Sequence, residues 1–137
     1  MSPSAPLLVW TWDNGSVPPR YRKSRRVTVD ASGRVVRTER RGYSTGDVTR
    51  TTGQIDPDLL VVELQAMGVL SQPWAAEERP RIGGGGSTLR LSLDGREVAV
   101  PRNVIATQRD AKERVVEWLR TVMARAFPDD GAAPSTR

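Results

Sequence analysis

The sequence predicts an α+β domain, a mostly antiparallel sheet of about five strands with two helices packed on one face. Two hairpin signals point to it, one at Asp30-Ala31-Ser32-Gly33 and one at Asp94-Gly95. Two stretches of helical period, opened by Asp56 and Asp110, supply the helices. The order along the chain is strand, hairpin, helix, hairpin, helix.

The first strand is Leu7-Leu8-Val9-Trp10-Thr11-Trp12, rich in β-branched and aromatic residues. Period 2 sets Leu8, Trp10 and Trp12 on one face and Leu7, Val9 and Thr11 on the other. Asp13-Asn14-Gly15-Ser16 is a turn signal, and Pro18-Pro19 is expected to hold the next segment extended and unpaired. Arg26 to Val29 alternates into the first hairpin, which returns from Arg34 to Arg41. Gly42 to Gly53 is polar and glycine-punctuated, a loop or a ragged edge strand.

Asp56 as N-cap, Pro57 at the first helical position and Asp58 in the first turn announce the first helix. It is expected to run to about Met67, where Gly68 ends it in the left-handed conformation. Leu60, Val61, Leu64 and Met67 form its core stripe, while Leu59, Val62 and Ala66 form a second apolar patch on roughly the opposite side. Either the helix is sandwiched inside the domain or the second patch meets a partner. The second hairpin joins Thr88–Leu93 to Arg96–Val100, with Leu89, Leu91 and Leu93 facing one way and Arg90 and Ser92 the other. Asp110 with Glu113 reads as a capping box for the last helix. Its apolar positions, Ala111, Val115, Val116, Trp118, Leu119, Val122, Met123 and Ala126, lie on one side. Residues 1–6 are expected to be a flexible N-terminus, 7–127 one domain and 128–137 a disordered tail.

Composition narrows the chemistry. The 137 residues include no histidine and no cysteine. A Ser-His-Asp triad, a Cys-His pair, a disulfide and the usual zinc site therefore lack their side chains. Asp13, Asp56, Asp58, Asp94 and Asp110 fall at turns or caps, and Glu63, Glu113 and Glu117 read as solvated helix positions. Neither a catalytic constellation nor a cofactor motif is recognisable, so the expectation is a non-enzyme without cofactor or metal. The run Gly83–Gly86 leads into Ser87-Thr88 and a strand, with no lysine, and so fails as a phosphate loop. The opening residues carry no basic signal region, and no window is apolar enough to span a membrane, so a cytoplasmic protein is expected.

Charge is uneven. The net charge is +5, and between Arg20 and Arg50 ten basic residues stand against Asp30, Glu39 and Asp47. The densest part is Arg20-Tyr21-Arg22-Lys23-Ser24-Arg25-Arg26, which Arg34, Arg37, Arg40 and Arg41 would extend along the returning strand. Such a run either forms a solvated face or neutralises phosphates while the tyrosine stacks on a base.

Two resemblances bear on function. The opening Trp10-Thr11-Trp12-Asp13-Asn14-Gly15-Ser16-Val17-Pro18-Pro19-Arg20-Tyr21 resembles that of small bacterial proteins of unassigned function. From Val27 onward the hairpin, helix ending at Gly68, hairpin and terminal helix resemble emfourin, a family of bacterial inhibitors of thermolysin-like metallopeptidases. The second resemblance implies a protein-binding module with a peptidase as partner, and no emfourin residue is carried to a position of this chain. The expected contact surface is Asn14, Gly15, Ser16, Pro18, Pro19 and Tyr21, an extended segment that loses little entropy on binding. Arg20, Arg22, Lys23, Arg25 and Arg26 would contact an anionic partner. The alternative is a nucleic-acid-binding accessory protein using the Arg20–Arg41 patch.

Overall fold

The computed structural model describes residues 6–42, 48–78, 84–93 and 95–129. The elements are β1 (Leu8–Asp13), β2 (Lys23–Val29), β3 (Arg34–Arg41), β4 (Val48–Gln54), α1 (Pro57–Ala66), β5 (Gly86–Leu93), β6 (Arg96–Val100) and α2 (Arg109–Ala126). The expected α+β class is found, with six strands in place of about five. The sheet runs β4-β3-β2-β1-β5-β6, every neighbouring pair antiparallel. The sixth strand is β4, drawn from the stretch whose sequence left loop and edge strand open. It pairs with β3 from Arg34↔Gln54 to Arg40↔Val48. Most of the expected flexible N-terminus and tail lie outside the described residues, as do Asp94 and 43–47.

Alternation sorts the sheet into two unlike faces. Leu8 and Trp10 lie opposite Val29 and Val27 on one side and Leu91 and Leu89 on the other. With Val35 and Val100 these side chains are buried and join Leu60, Leu64, Val115, Trp118, Leu119 and Val122 from the helices in one core cluster. Every buried strand residue sits on this face, and none of the residues of opposite parity is buried.

The start of α1 matches its sequence signals. Asp56 accepts hydrogen bonds from the amides of Asp58 (3.0 Å) and Leu59 (3.4 Å), and Gly68 follows the helix at φ +71°. Leu60 and Leu64 are buried, but Val62 is 59% and Leu59 43% exposed. Among the described residues the helix is therefore not sandwiched, and its second apolar patch faces outward with no described element packed over it. The capping box expected at α2 is also absent. A 3₁₀ turn over Ala106–Gln108 runs straight into the helix, so the chain is already wound before Asp110, which falls in the first turn. Gln108 precedes the helix and turns its amide elsewhere, accepting from the Ala75 amide (2.9 Å) and donating to the Pro73 carbonyl (2.7 Å).

Glu63 is no solvated helix residue. Its carboxylate accepts from Trp118 Nε1 (3.1 Å) and from both terminal nitrogens of Arg125 (2.5 and 2.9 Å), joining α1 to α2. Farther along, the Arg37 guanidinium lies 4.1 Å over the Phe127 ring, and Gly53 of β4 abuts the last turn of α2. A Cβ at Gly53 would overlap the Ala126 carbonyl oxygen and press to 3.0 Å on the Phe127 ring. Among the described residues, no helix is long and apolar enough to cross a membrane.

Two substitutions separate these packed and open surfaces. Gly53→Ala is expected to lower stability by about 1–3 kcal/mol in urea unfolding, because the obstructing atoms are backbone and a packed ring. Val62→Asp, on the uncovered side of α1, is expected to shift it by no more than about 0.5 kcal/mol.

Candidate functional site

The segment expected to bind a partner is built as a corner of the fold. Asn14 donates through Nδ2 to the Tyr21 carbonyl (2.9 Å) and accepts at Oδ1 from the Lys23 amide (2.9 Å), so its side chain is used internally. Gly15 is buried at φ +87°, a conformation that suits glycine. The two prolines do not hold the chain extended. Pro19–Tyr21 forms a 3₁₀ turn in which the Tyr21 amide donates to the Pro18 carbonyl (2.9 Å), since the fixed proline φ also fits a turn. Ser16, Pro18, Arg20 and Tyr21 are exposed, and Asn14 and Gly15 are scaffold beneath them.

Beside this corner, Asp13 takes both terminal nitrogens of Arg102 (2.9 and 3.0 Å), the Gly15 amide (2.8 Å) and, at 3.9 Å, Arg22. The Arg102 hydrogen bonds, more than the Gly15 amide and the Arg22 charge, hold the Asp13 carboxyl below the usual carboxylate range against the opposing effect of burial. Arg102 also donates to the Gly84 and Gly86 carbonyls, and the Asp13–Asn14 backbone comes within 3.0–3.2 Å of where a Cβ on Gly85 would stand. The close approach that the glycine run permits is thus internal. Lys112 donates to the carbonyls of Ser87 (2.7 Å), Pro101 (2.8 Å) and Arg102 (2.6 Å). Burial, helped by the Arg102 charge, pushes its ammonium down to about 8. A cleft of about 620 Å³ opens here along the start of α2. Two ion pairs line it, Arg109 on Glu77 at 2.6 Å and Arg120 on Glu117 at 3.7 Å.

The basic run does not form one surface. Strand alternation sends Arg25 to the core-side face, where it meets Glu39 at 3.2 Å, and Arg26 to the opposite one. Arg22 turns in to Asp13 and the Gly15 carbonyl, Lys23 stays exposed, and Arg20 stacks 4.9 Å from the Tyr21 ring centroid. Of the proposed extension, Arg37 is buried beneath Phe127, and Arg41 shares its parity. Only Arg34 and Arg40 join Arg26.

The face without buried residues collects a different set. One row across the sheet reads Arg50–Thr38–Arg26–Thr11–Thr88, with the last two hydroxyls hydrogen-bonded at 2.5 Å. Arg40 follows Thr38 by two residues on β3, Arg34 lies toward the other end of that strand, and Arg90 faces the same way from β5. All five arginines are exposed, and none makes an ion pair with a described residue. The described carboxylates of the six strands on this face are Asp13, engaged by Arg102, and Glu97 on the edge strand β6. Arg50 and Arg90 were missed by reading the basic run alone. Their signal was parity, which is invisible until register is known. Among the described residues, no three acidic side chains are grouped as a metal site would require.

The lowered Asp13 carboxyl has a pH consequence. Folded Asp13 binds its proton more weakly than unfolded Asp13, so its stabilisation is complete above the ordinary aspartate range and is lost as pH falls through the folded value. Urea midpoints followed downward from neutral pH are expected to drop on the acid side, and to drop less in Asp13→Asn. Comparison with protein-family models and with curated proteins finds no match to this chain.

Proposed function

We infer that both helices cover the core-side face of the sheet and that the other face is the working surface of a non-catalytic nucleic-acid-binding module. One observation carries this reading: Asp13, Glu39, Glu63, Glu77 and Glu117 pair with arginines elsewhere, while Arg26, Arg34, Arg40, Arg50 and Arg90 share one exposed face without an ion-pair partner among the described residues. Neighbouring strands lie about 4.8 Å apart, so Arg26 and Arg50, two strands apart in one row, stand about 10 Å from each other. A rigid array of guanidiniums suits successive phosphates, because each accepts paired N–H donors and binding releases condensed counterions. Threonine hydroxyls between them add donors to phosphate and sugar. The described residues of the face include Val9, Val36 and Val48 but no aromatic ring, so the contact we propose there is to the backbone of the nucleic acid.

A second reading has its own support. Leu59, Val62, Ala66 and Met67 leave an apolar stripe on the outside of α1, as a protein-binding module requires. A peptidase, the partner implied by the emfourin resemblance, would dock there and not on the Asn14–Tyr21 corner.

Anisotropy titrations with a labelled oligonucleotide distinguish the two. Nucleic-acid binding is expected to weaken steeply with salt. Arg26→Glu/Arg50→Glu is expected to lose at least about tenfold in affinity, with the salt slope reduced by about 1 for each arginine. Unchanged affinity in that variant, or no binding by the parent chain at low salt, overturns the reading.

A further inference from the structure

The one large exposed aromatic side chain among the described residues is Tyr21, 55% accessible, and it is displayed by a rigid mount. Its carbonyl accepts from Asn14 Nδ2 and its amide donates to Pro18 O, both at 2.9 Å. The next residue is fixed as well. Arg22 O accepts from the Gly42 amide at 2.6 Å, and Arg22 Nη1 donates to Gly15 O at 3.1 Å. The backbone is thus held on both sides of a ring that packs on nothing in the core. The Arg20 guanidinium lies over that ring, 4.9 Å from its centroid. The mount is placed where β2 begins, beside the end of β3 that carries Arg40.

An exposed ring carried on a fixed stretch of backbone suits a stacking partner. Bases in a duplex are already stacked on their neighbours, whereas unpaired bases can leave the stack for an aromatic side chain. Resting on the nucleic-acid reading above, we propose that Tyr21, backed by Arg20, stacks on an unpaired base of a single strand whose phosphates lie along the arginine face. The ligand class is single-stranded nucleic acid. The arginines supply affinity through the backbone, and the tyrosine supplies preference for strands that have a base to stack. Stacking of this type tolerates any base, because each offers a π face.

The test uses the full chain and two labelled oligomers of equal length and charge, oligothymidylate and an abasic strand, in anisotropy titrations. Parent protein is expected to bind oligothymidylate about tenfold more tightly than the abasic strand, the range found for one aromatic–base stack. Tyr21→Ala is expected to erase that preference while leaving abasic binding and its salt slope unchanged, and Tyr21→Trp to retain it. Both variants change an exposed side chain, and circular dichroism checks that they fold. Equal binding of the two strands by the parent protein, or a preference that survives in Tyr21→Ala, overturns the stacking proposal and leaves the phosphate reading standing. Failure of both strands to bind at low salt overturns both.

Discussion

The pairing of β1 with its neighbours on both sides sets the rest of the molecule. Leu8 and Trp10 meet Val29 and Val27 across β2, and Leu91 and Leu89 across β5. Side chains alternate with a period of 2, so a slip of one residue at either seam would carry a whole strand's apolar set to solvent. The same alternation that buries these residues turns Val9, Thr11, Arg26, Thr28 and Arg90 to the opposite face. Core and charged surface are two outcomes of one register.

Charge is divided along the same plane. Arg25 approaches Glu39, Arg102 and Arg22 approach Asp13, and Arg125 holds Glu63, each joining separate segments of the fold. Paired charges of this type add modestly to stability when half-exposed, but they place neighbouring segments. Asp13 fastens β1 to the segment after β6, and Glu63 fastens α1 to α2. Fold-building therefore uses these carboxylates on the core side and at the rims. The opposite face has Glu97 at its edge, and its five arginines make no ion pair with a described residue, so the like charges repel one another there, a repulsion that the proposed anionic partner would relieve.

The corner from Asp13 to Lys23 unites structure and display. Asn14 serves as a backbone bridge, Gly15 allows the positive φ, and Arg22 closes the turn from outside. A tyrosine whose main chain is held has less backbone freedom to lose in the proposed stacking, which favours binding. The apolar outer side of α1 is a separate surface, on another element. A protein partner there and a polyanion on the sheet are compatible in one chain.

Local chemistry determined much of the architecture. Asp30 to Gly33 specified a hairpin because the turn needs that glycine conformation and the aspartate accepts the Ser32 and Arg34 amides. Asp56, Pro57 and Gly68 bounded α1, and the one-sided stripe from Val115 to Ala126 became the buried side of α2. Three things were settled only in the folded molecule. Val48–Gln54 is a strand because β3 offers it a free edge, whereas its threonines and glycine alone allowed a loop. Asp110 is not a cap because the preceding turn winds the chain first. The proposed binding surface is decided in the same way. A run of basic residues names charges but not directions, and strand alternation scattered Arg22, Arg25 and Arg26 while register brought Arg50 and Arg90, far apart in sequence, onto the face with Arg26. Sequence determined most of the strands, both helices and the apolar side of each hairpin and of α2, because those choices depend on short-range periodicity. Which arginines share a surface depended on long-range pairing, which only the tertiary structure supplies.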